Sequence, residues 1–493
     1  MYANTDERRY IMEKNNSFLK HFTIIGGGTL INMLLGLITE PIITRLVDPD
    51  ENGRYSLFTM YSSLAVMVLC IGLDQALVRF YYEKDTENYK SSLLSKCVVL
   101  PVLCCLAVSG IVMAVSLTGI IKLKFNPLIM SVLCVFTLSQ LIYRFSLLLV
   151  RLEYKSKLYS LLNIIHKLMY LAAVFPLIYL IKSDRSKSLI FAATFASFVC
   201  LFVSIAANRR LWKPKSSTKG ACGVTMKELL KYGYPYILSM GLATLFSAID
   251  KLSLDHYRTE AEVGVYSSAI TLVNVFAIIQ TTFNTLWQPM SVEHYSKDPE
   301  DKSFYQRGNQ IITIVMFFLG LSLILCKDLF VYLLGEKYRE AAVILPFLCF
   351  NPIMYTISET TVSGLVFKKK SMMQIVVSAG ACVTNIIGNM ILVPWIGCKG
   401  AAISTGISYV VFFTLRTVLS NKYFYVDYKL GRFYTITLAL ILFAFYNTFF
   451  KFGLLTIAAY LACLALLVFL YRDNVKWGLD YLIKTAKKIL KKN

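Results

Sequence analysis

Residues 209–232, RRLWKPKSSTKGACGVTMKELLKY, decide how this chain is organised. Seven cations, a proline and two glycines make this the longest polar stretch in the interior of the sequence, and it reads as a linker between two halves. Working outward, six windows of about twenty apolar residues precede it, near 22–43, 56–78, 94–116, 128–150, 159–181 and 188–208. Six more follow, near 233–254, 265–288, 309–326, 342–366, 372–396 and 400–419, and then two further spans at 433–450 and 453–471. The expected fold is an all-α polytopic membrane protein. About fourteen transmembrane helices form two six-helix bundles related by pseudo-two-fold symmetry, with two extra C-terminal helices. The domain boundaries that follow are 1–17 (N-terminus), 18–208 (first bundle), 209–232 (linker), 233–420 (second bundle), 433–471 (two added helices) and 472–493 (basic tail).

Composition agrees with that pattern. The 493 residues are 56% hydrophobic and only 16% charged, which excludes an ordinary soluble enzyme. A formal net charge of +22 could signal nucleic-acid binding if it formed one patch, but the cations recur in short loops between apolar segments. No nucleic-acid partner is expected. Residues Met1 to Ser17 are polar and carry no cleavable apolar leader, so the N-terminus is placed in the cytoplasm. This orientation leaves Arg151, Lys155, Lys157, the linker cations, Lys368, Lys369, Lys370 and the tail on the cytoplasmic side. An even helix count returns the C-terminus there too. The tail, VKWGLDYLIKTAKKILKKN, puts Val475, Leu479, Leu482, Ile483, Ala486 and Leu490 on one helical face. It is expected to lie on anionic inner-leaflet lipids, with Trp477 and Tyr481 at headgroup level.

The 12 cysteines sit mainly in apolar stretches without a CxxC pair, and His21, His166, His256 and His294 supply no paired metal-ligand spacing. They read as small buried hydrophobes, and no metal or cofactor is expected. Asp48-Pro-Asp50-Glu-Asn52-Gly53 resembles the start of a calcium loop, but its twelfth position is Thr59. No GxxxxGK[ST], HExxH or GxSxG occurs, so neither nucleotide hydrolysis nor a familiar hydrolase is supported, and no catalytic residue is assigned.

A short repeat supports the two-half organisation. Glu51-Asn-Gly53-Arg-Tyr55-Ser56 recurs as Glu262-Val-Gly264-Val-Tyr266-Ser267, an offset of 211 residues, each time on the connection that feeds the second helix of a half. Repeated halves of a transporter enclose a site near the membrane midplane, so function is sought in polar groups within the spans.

Ionisable side chains in hydrocarbon are costly and therefore functional candidates. Arg144, Lys167 and Lys251 lie deep in their spans, and a seven-residue step to Arg151 puts it on one face with Arg144. Lys167 follows His166, and Lys251 has Asp255 one turn on. Arg45 and Arg79 complete the candidate anion-binding set, with snorkelling to headgroups as the competing reading for both and for Arg416. This excess of cations suits an anionic ligand such as a pyrophosphate. Glu359, Asp250, Asp74 and Glu40 are candidates to couple an ion, H+ or Na+. A fixed ion pair is the competing reading for Asp74 and Asp250, and Glu359, with no basic neighbour in its own span, is the better coupling candidate. Asn163, Asn274, Gln280, Asn284, Trp287, Asn385 and Asn389 could line a sugar path or simply join helices through hydrogen bonds.

The stretches LGLITEPIITRLVDPDENGRYSLF (35–58), GLDQALVRFYYE (72–83) and NIIGNMILVPWIGCKGAAIST (385–405) resemble the polysaccharide and oligosaccharide flippases of the multidrug/oligosaccharidyl-lipid/polysaccharide exporter superfamily. The resemblance runs from the first span through the twelfth. Its most specific piece is the pattern Asn385, Asn389, Gly397, Gly400, Ala401. It implies a bacterial inner-membrane protein with two six-helix bundles and two added helices, turning a polyprenyl-pyrophosphate-linked glycan to the outer leaflet for surface polysaccharide synthesis. Polymerase and chain-length proteins would be its partners. Relatives that flip the peptidoglycan precursor carry an arginine cluster in the first helix, where this chain has Thr39-Glu40. A cation-coupled drug exporter, a precursor flippase and a membrane glycan polymerase are the alternatives.

Overall fold

The computed structural model describes residues 5–119, 124–213, 223–370, 372–474 and 476. Helix makes up 86% of the described residues and no strand occurs among them, as a hydrocarbon solvent demands when every backbone group must be satisfied within its own segment. The first helices are α1 (Thr5–Leu46), α2 (Pro49–Leu69), α3 (Leu73–Phe80), α4 (Glu87–Thr118), α5 (Pro127–Leu152), α6 (Ser156–Leu180), α7 (Arg185–Ala207) and the short α8 (Arg209–Trp212). Then come α9 (Met226–Tyr257), α10 (Glu260–Val273), α11 (Ala277–Lys297), α12 (Ser303–Leu325) and α13 (Lys327–Tyr332). The last are α14 (Ala341–Leu348), α15 (Phe350–Thr361), α16 (Ser363–Phe367), α17 (Met372–Ile396), α18 (Cys398–Asn421), α19 (Leu430–Phe449) and α20 (Leu454–Leu470). Among the described residues 12 helices are long and apolar enough to cross a membrane, and the bent pair α2–α3 brings the number to 13. The apolar α20, at 17 residues, falls just short of that length. The protein is a multi-pass membrane protein. The tail from Val475 onward lies outside the described residues apart from Lys476, as do 214–222 of the central polar stretch and the first four residues.

Two compact units form. One comprises residues 1–43 and 50–248, the other 44–49 and 249–493, so the division falls within α9. Inside the first unit α2 and α3 meet at a bend of 55° rather than continuing as one straight span. Ile71 and Gly72 both take left-handed backbone there, at φ 51° and 70°, and the turn closes through the Leu73 N–H donating to the Cys70 carbonyl. Gly72 has a second constraint. A Cβ at this position would stand 2.1 Å from the Gly233 carbonyl oxygen of α9, so the two glycines permit backbone-to-backbone contact. Single glycines against serine side chains bring α1 close to α6, where a Cβ at Gly28 would collide with Ser160, and α17 close to α18, where Gly388 faces Ser404. α5 begins with Pro127 at its first turn, and the Asn126 side chain accepts the Ile129 N–H as its cap.

The sequence repeat reappears as a repeated contact. In the first unit Glu51, in the first turn of α2, accepts the backbone N–H of Arg185 at 2.9 Å and so caps α7. In the second unit Glu262, in the first turn of α10, accepts the Cys398 N–H at 2.8 Å and caps α18. Gly397 precedes that cap at φ 55°, and a Cβ on it would strike the Glu262 carboxylate.

Candidate functional site

In the first unit the bend places Asp74 on α3 against α5. Arg144 donates from Nε at 2.9 Å and from Nη2 at 2.5 Å to Asp74 Oδ2. Asp74 is only 1% exposed, and its Oδ1 also accepts the Gln75 N–H at 2.9 Å, so the carboxylate is fully engaged. Arg144 is less enclosed and lines a cavity of about 480 Å³, together with Tyr55, Gln140, Tyr143, His166 and Thr244. A guanidinium, an imidazole, an amide, hydroxyls and aromatic rings thus share one apolar-backed wall. Such a lining can take an anion and polar, ring-shaped groups together.

Lys167 follows His166 but does not line this cavity. Its ammonium lies toward α1, where a Cβ on Gly36 would be 3.6 Å from Nζ. Glu40 is half-buried on α1, and the Tyr55 and Tyr170 rings stack at 5.9 Å. Arg79 is exposed, pairs with Glu83 at 3.3 Å and covers the Phe80 ring. Arg45 is an exposed residue in the last turn of α1, and Arg151 is exposed in the last turn of α5.

In the second unit Asp250 is 4% exposed and sits among neutral donors. Tyr266 and Thr405 each donate a hydroxyl to Oδ2 at 2.6 Å, and the amides of Asn389 and Asn385 donate to Oδ1 at 2.8 and 3.2 Å. These groups come from α9, α10, α17 and α18. Asn389 also donates to the Asn385 carbonyl, which fixes the register of the α17 face. The side-chain carbonyl oxygens of both asparagines are buried with no hydrogen-bond partner among the described residues. A carboxylate with four neutral donors, beside two unused carbonyl oxygens, is equipped to take up a proton or a small cation. Lys251, next along α9, is half-buried.

Glu359 does have a cationic partner, supplied by α18. Arg416 Nη1 is 2.8 Å from Glu359 Oε1 and 2.7 Å from Ser358 Oγ, and its guanidinium lies 5.5 Å from the centres of the Tyr355 and Phe412 rings. Arg416 is 7% exposed, so it is held in the helix interior instead of reaching outward to headgroups. No basic residue in the Glu359 span announces this pair, because the partner is 57 residues away. Trp287 belongs to a packed aromatic cluster, stacked between Phe283 and Phe304 at 5.6 and 5.4 Å. Asn163, Gln280 and Asn284 are half-buried, and Asn274 is exposed at the break between α10 and α11. Tyr266 and Thr405 were not singled out as ligands in the sequence, although Tyr266 lies in the repeat and Thr405 ends the 385–405 stretch.

Solved structures share this fold. The lipid II flippase MurJ in an inward closed conformation is similar with a TM-score of 0.66 at 14% identity, covering 93% of this chain and 99% of that one. An outward-facing multidrug resistance MATE family transporter of the MOP superfamily matches at 0.54 and 15% identity, covering 82% of this chain and 95% of that one. Its inward-facing counterpart gives 0.51 and 14%, over 80% and 94%. No curated protein matches the chain. A family model described as polysaccharide biosynthesis protein matches residues 18–295, which takes in the cavity of the first unit, Asp250 and both copies of the repeat. This membrane-spanning chain belongs to the polysaccharide biosynthesis protein family.

Proposed function

We propose that the protein flips a polyprenyl-pyrophosphate-linked oligosaccharide across the bacterial cytoplasmic membrane, toward the outer leaflet, for surface polysaccharide synthesis. Both termini are cytoplasmic in this reading, and the chain acts as a transporter rather than an enzyme. The observation that carries it is the setting of Arg144, a guanidinium held along one edge by Asp74 while lining a cavity that also offers tyrosines, hydroxyls and an amide. Asp74 neutralises the guanidinium when no anion is bound, which avoids an isolated charge in hydrocarbon. The N–H groups that Asp74 does not use are available to pyrophosphate oxygens, with His166 as a further donor. Tyrosine faces and hydroxyls suit the sugar rings that follow.

Coupling is assigned to Asp250. Its four donors are neutral, so a proton or Na+ can enter or leave without breaking a fixed ion pair. The donors come from three helices and the carboxylate from a fourth, all of one unit, so occupancy changes what holds those helices together, and alternating access follows from rocking of repeated bundles. Glu359 is engaged by Arg416 and fits a structural pair instead.

Binding of polyprenyl pyrophosphate to the detergent-solubilised protein, followed by native mass spectrometry, tests the anion site. Arg144→Ala is expected to weaken binding roughly 10-fold or more, as loss of hydrogen bonds to a charged group requires. Equal binding of the pyrophosphate by wild type and Arg144→Ala would remove the site assignment.

A further inference from the structure

One end of the first unit holds a second cavity, of about 670 Å³, which shares no lining residue with the cavity at Arg144. Its walls come from the start of α4, the turn between α5 and α6, and the turn between α7 and α8. Polar contacts hold these three places together. Tyr81 donates its hydroxyl to Glu153, Ser91 donates to the Leu211 carbonyl at 2.9 Å, and Lys155 Nζ donates to the Ala207 carbonyl at 2.8 Å. Seven charged side chains line the space, and each of its three acids is engaged. Asp85 lies 2.7 Å from Lys90, Glu153 lies 3.8 Å from the same ammonium and accepts from Tyr81, and Glu87 lies 3.8 Å from Arg210. Lys155 and Arg209 have no carboxylate partner among the described residues. Lys155 donates instead to Asn208 Oδ1, which fixes the amide and leaves Nδ2 as its free end. Asn208 is 5% exposed, and Nδ2 is buried with no hydrogen-bond partner among the described residues.

We propose that this cavity binds a phosphate group. A phosphate brings the acceptor oxygen that Asn208 Nδ2 lacks and the negative charge that Lys155 and Arg209 lack. The Lys155 ammonium has a third N–H beyond its two bonds to Ala207 and Asn208, and a guanidinium such as that of Arg209 can take two phosphate oxygens at once. The turns that form the site lie at helix ends, the level of lipid headgroups, so the phosphate belongs either to an anionic lipid or to a small soluble compound. Once bound, it bridges the α5–α6 turn to the α7–α8 turn through Lys155, Asn208 and Arg209.

The test uses the full chain in an uncharged detergent and two probes, radioactive inorganic phosphate followed by equilibrium dialysis and phosphatidylglycerol followed by native mass spectrometry. Wild type is expected to retain at least one of them. Asn208→Asp keeps the acceptor for Lys155 but replaces the unpaired donor with an anionic oxygen, and it should weaken binding roughly 10-fold or more. Arg209→Gln should do the same. Because Arg209 is exposed and has no carboxylate partner, this variant keeps the test usable should Asn208→Asp fail to fold. Arg144→Ala should bind as wild type does, which separates this site from the proposed substrate cavity. Binding of inorganic phosphate, with or without the lipid, identifies a site for the phosphate itself, and binding of phosphatidylglycerol alone identifies a headgroup site. Retention of neither probe by folded wild type overturns the proposal. So does unchanged binding in the folded Asn208 and Arg209 variants, or binding lost only in Arg144→Ala.

Discussion

Arg416 Nη1 lies 2.8 Å from Glu359 Oε1, and this buried pair ties α18 to α15 within the second unit. Two aromatic rings and the Ser358 hydroxyl enclose the guanidinium, so neither charge has bulk water to fall back on. Removing one partner leaves an uncompensated charge. Arg416→Met is expected to cost about 3–5 kcal/mol, and Arg416→Met/Glu359→Met substantially less, because the double change removes both charges together. Thermal unfolding in detergent measures this. A single variant as stable as wild type would show that the pair contributes nothing.

Asp74 and Arg144 form a pair of a different kind, because one member lines the cavity. Arg144→Lys keeps the charge but loses the two-pronged attachment to Asp74 Oδ2, so it should lower flipping roughly 10- to 100-fold, on the scale of hydrogen bonds to charged groups. Asp74→Asn should lower it too, by releasing the guanidinium from its orientation. Initial rates in vesicles read both effects, and full activity in Arg144→Lys would show that charge alone suffices.

Much of this was readable in advance, for a physical reason. Hydrocarbon makes each charge in a span conspicuous, so Asp74, Arg144, Asp250 and Glu359 stand out from sequence alone, and the spans follow from apolar length. Their partners do not stand out. Arg144 meets Asp74 across 70 residues, Asn389 meets Asp250 across 139 and Arg416 meets Glu359 across 57, contacts that helix packing creates and local spacing does not encode. The α2–α3 bend was also hidden. The 56–78 window reads as a single span with Asp74 as its one charge, and its break depends on left-handed backbone at Ile71 and Gly72.

That bend gives a stability prediction. Gly72→Ala combines a left-handed residue, worth about 1–2 kcal/mol, with a collision against the Gly233 carbonyl oxygen, so a loss of at least about 2 kcal/mol is expected. Gly431→Ala, whose Cβ would meet nothing within 4 Å, serves as the comparison and should be close to neutral. Equal unfolding temperatures for the two variants would contradict the close approach of α3 and α9.

Glu51→Ala and Glu262→Ala should behave alike, since each removes the carboxylate that accepts the first backbone N–H of a distant helix. A cost of about 1 kcal/mol apiece is expected from capping energetics. Chemical unfolding of both variants checks it, and a large effect in one with none in the other would deny that the two contacts are equivalent.

The decisive experiment is reconstitution in liposomes, measuring whether a labelled polyprenyl-pyrophosphate oligosaccharide becomes accessible to an outside probe, with and without a proton or sodium gradient. Accessibility that rises with one of the gradients, loses that dependence in Asp250→Asn and is abolished in Arg144→Ala is the expected result. A correctly folded wild type that leaves the lipid inaccessible under every gradient, while exporting a cationic dye, would contradict the flippase reading.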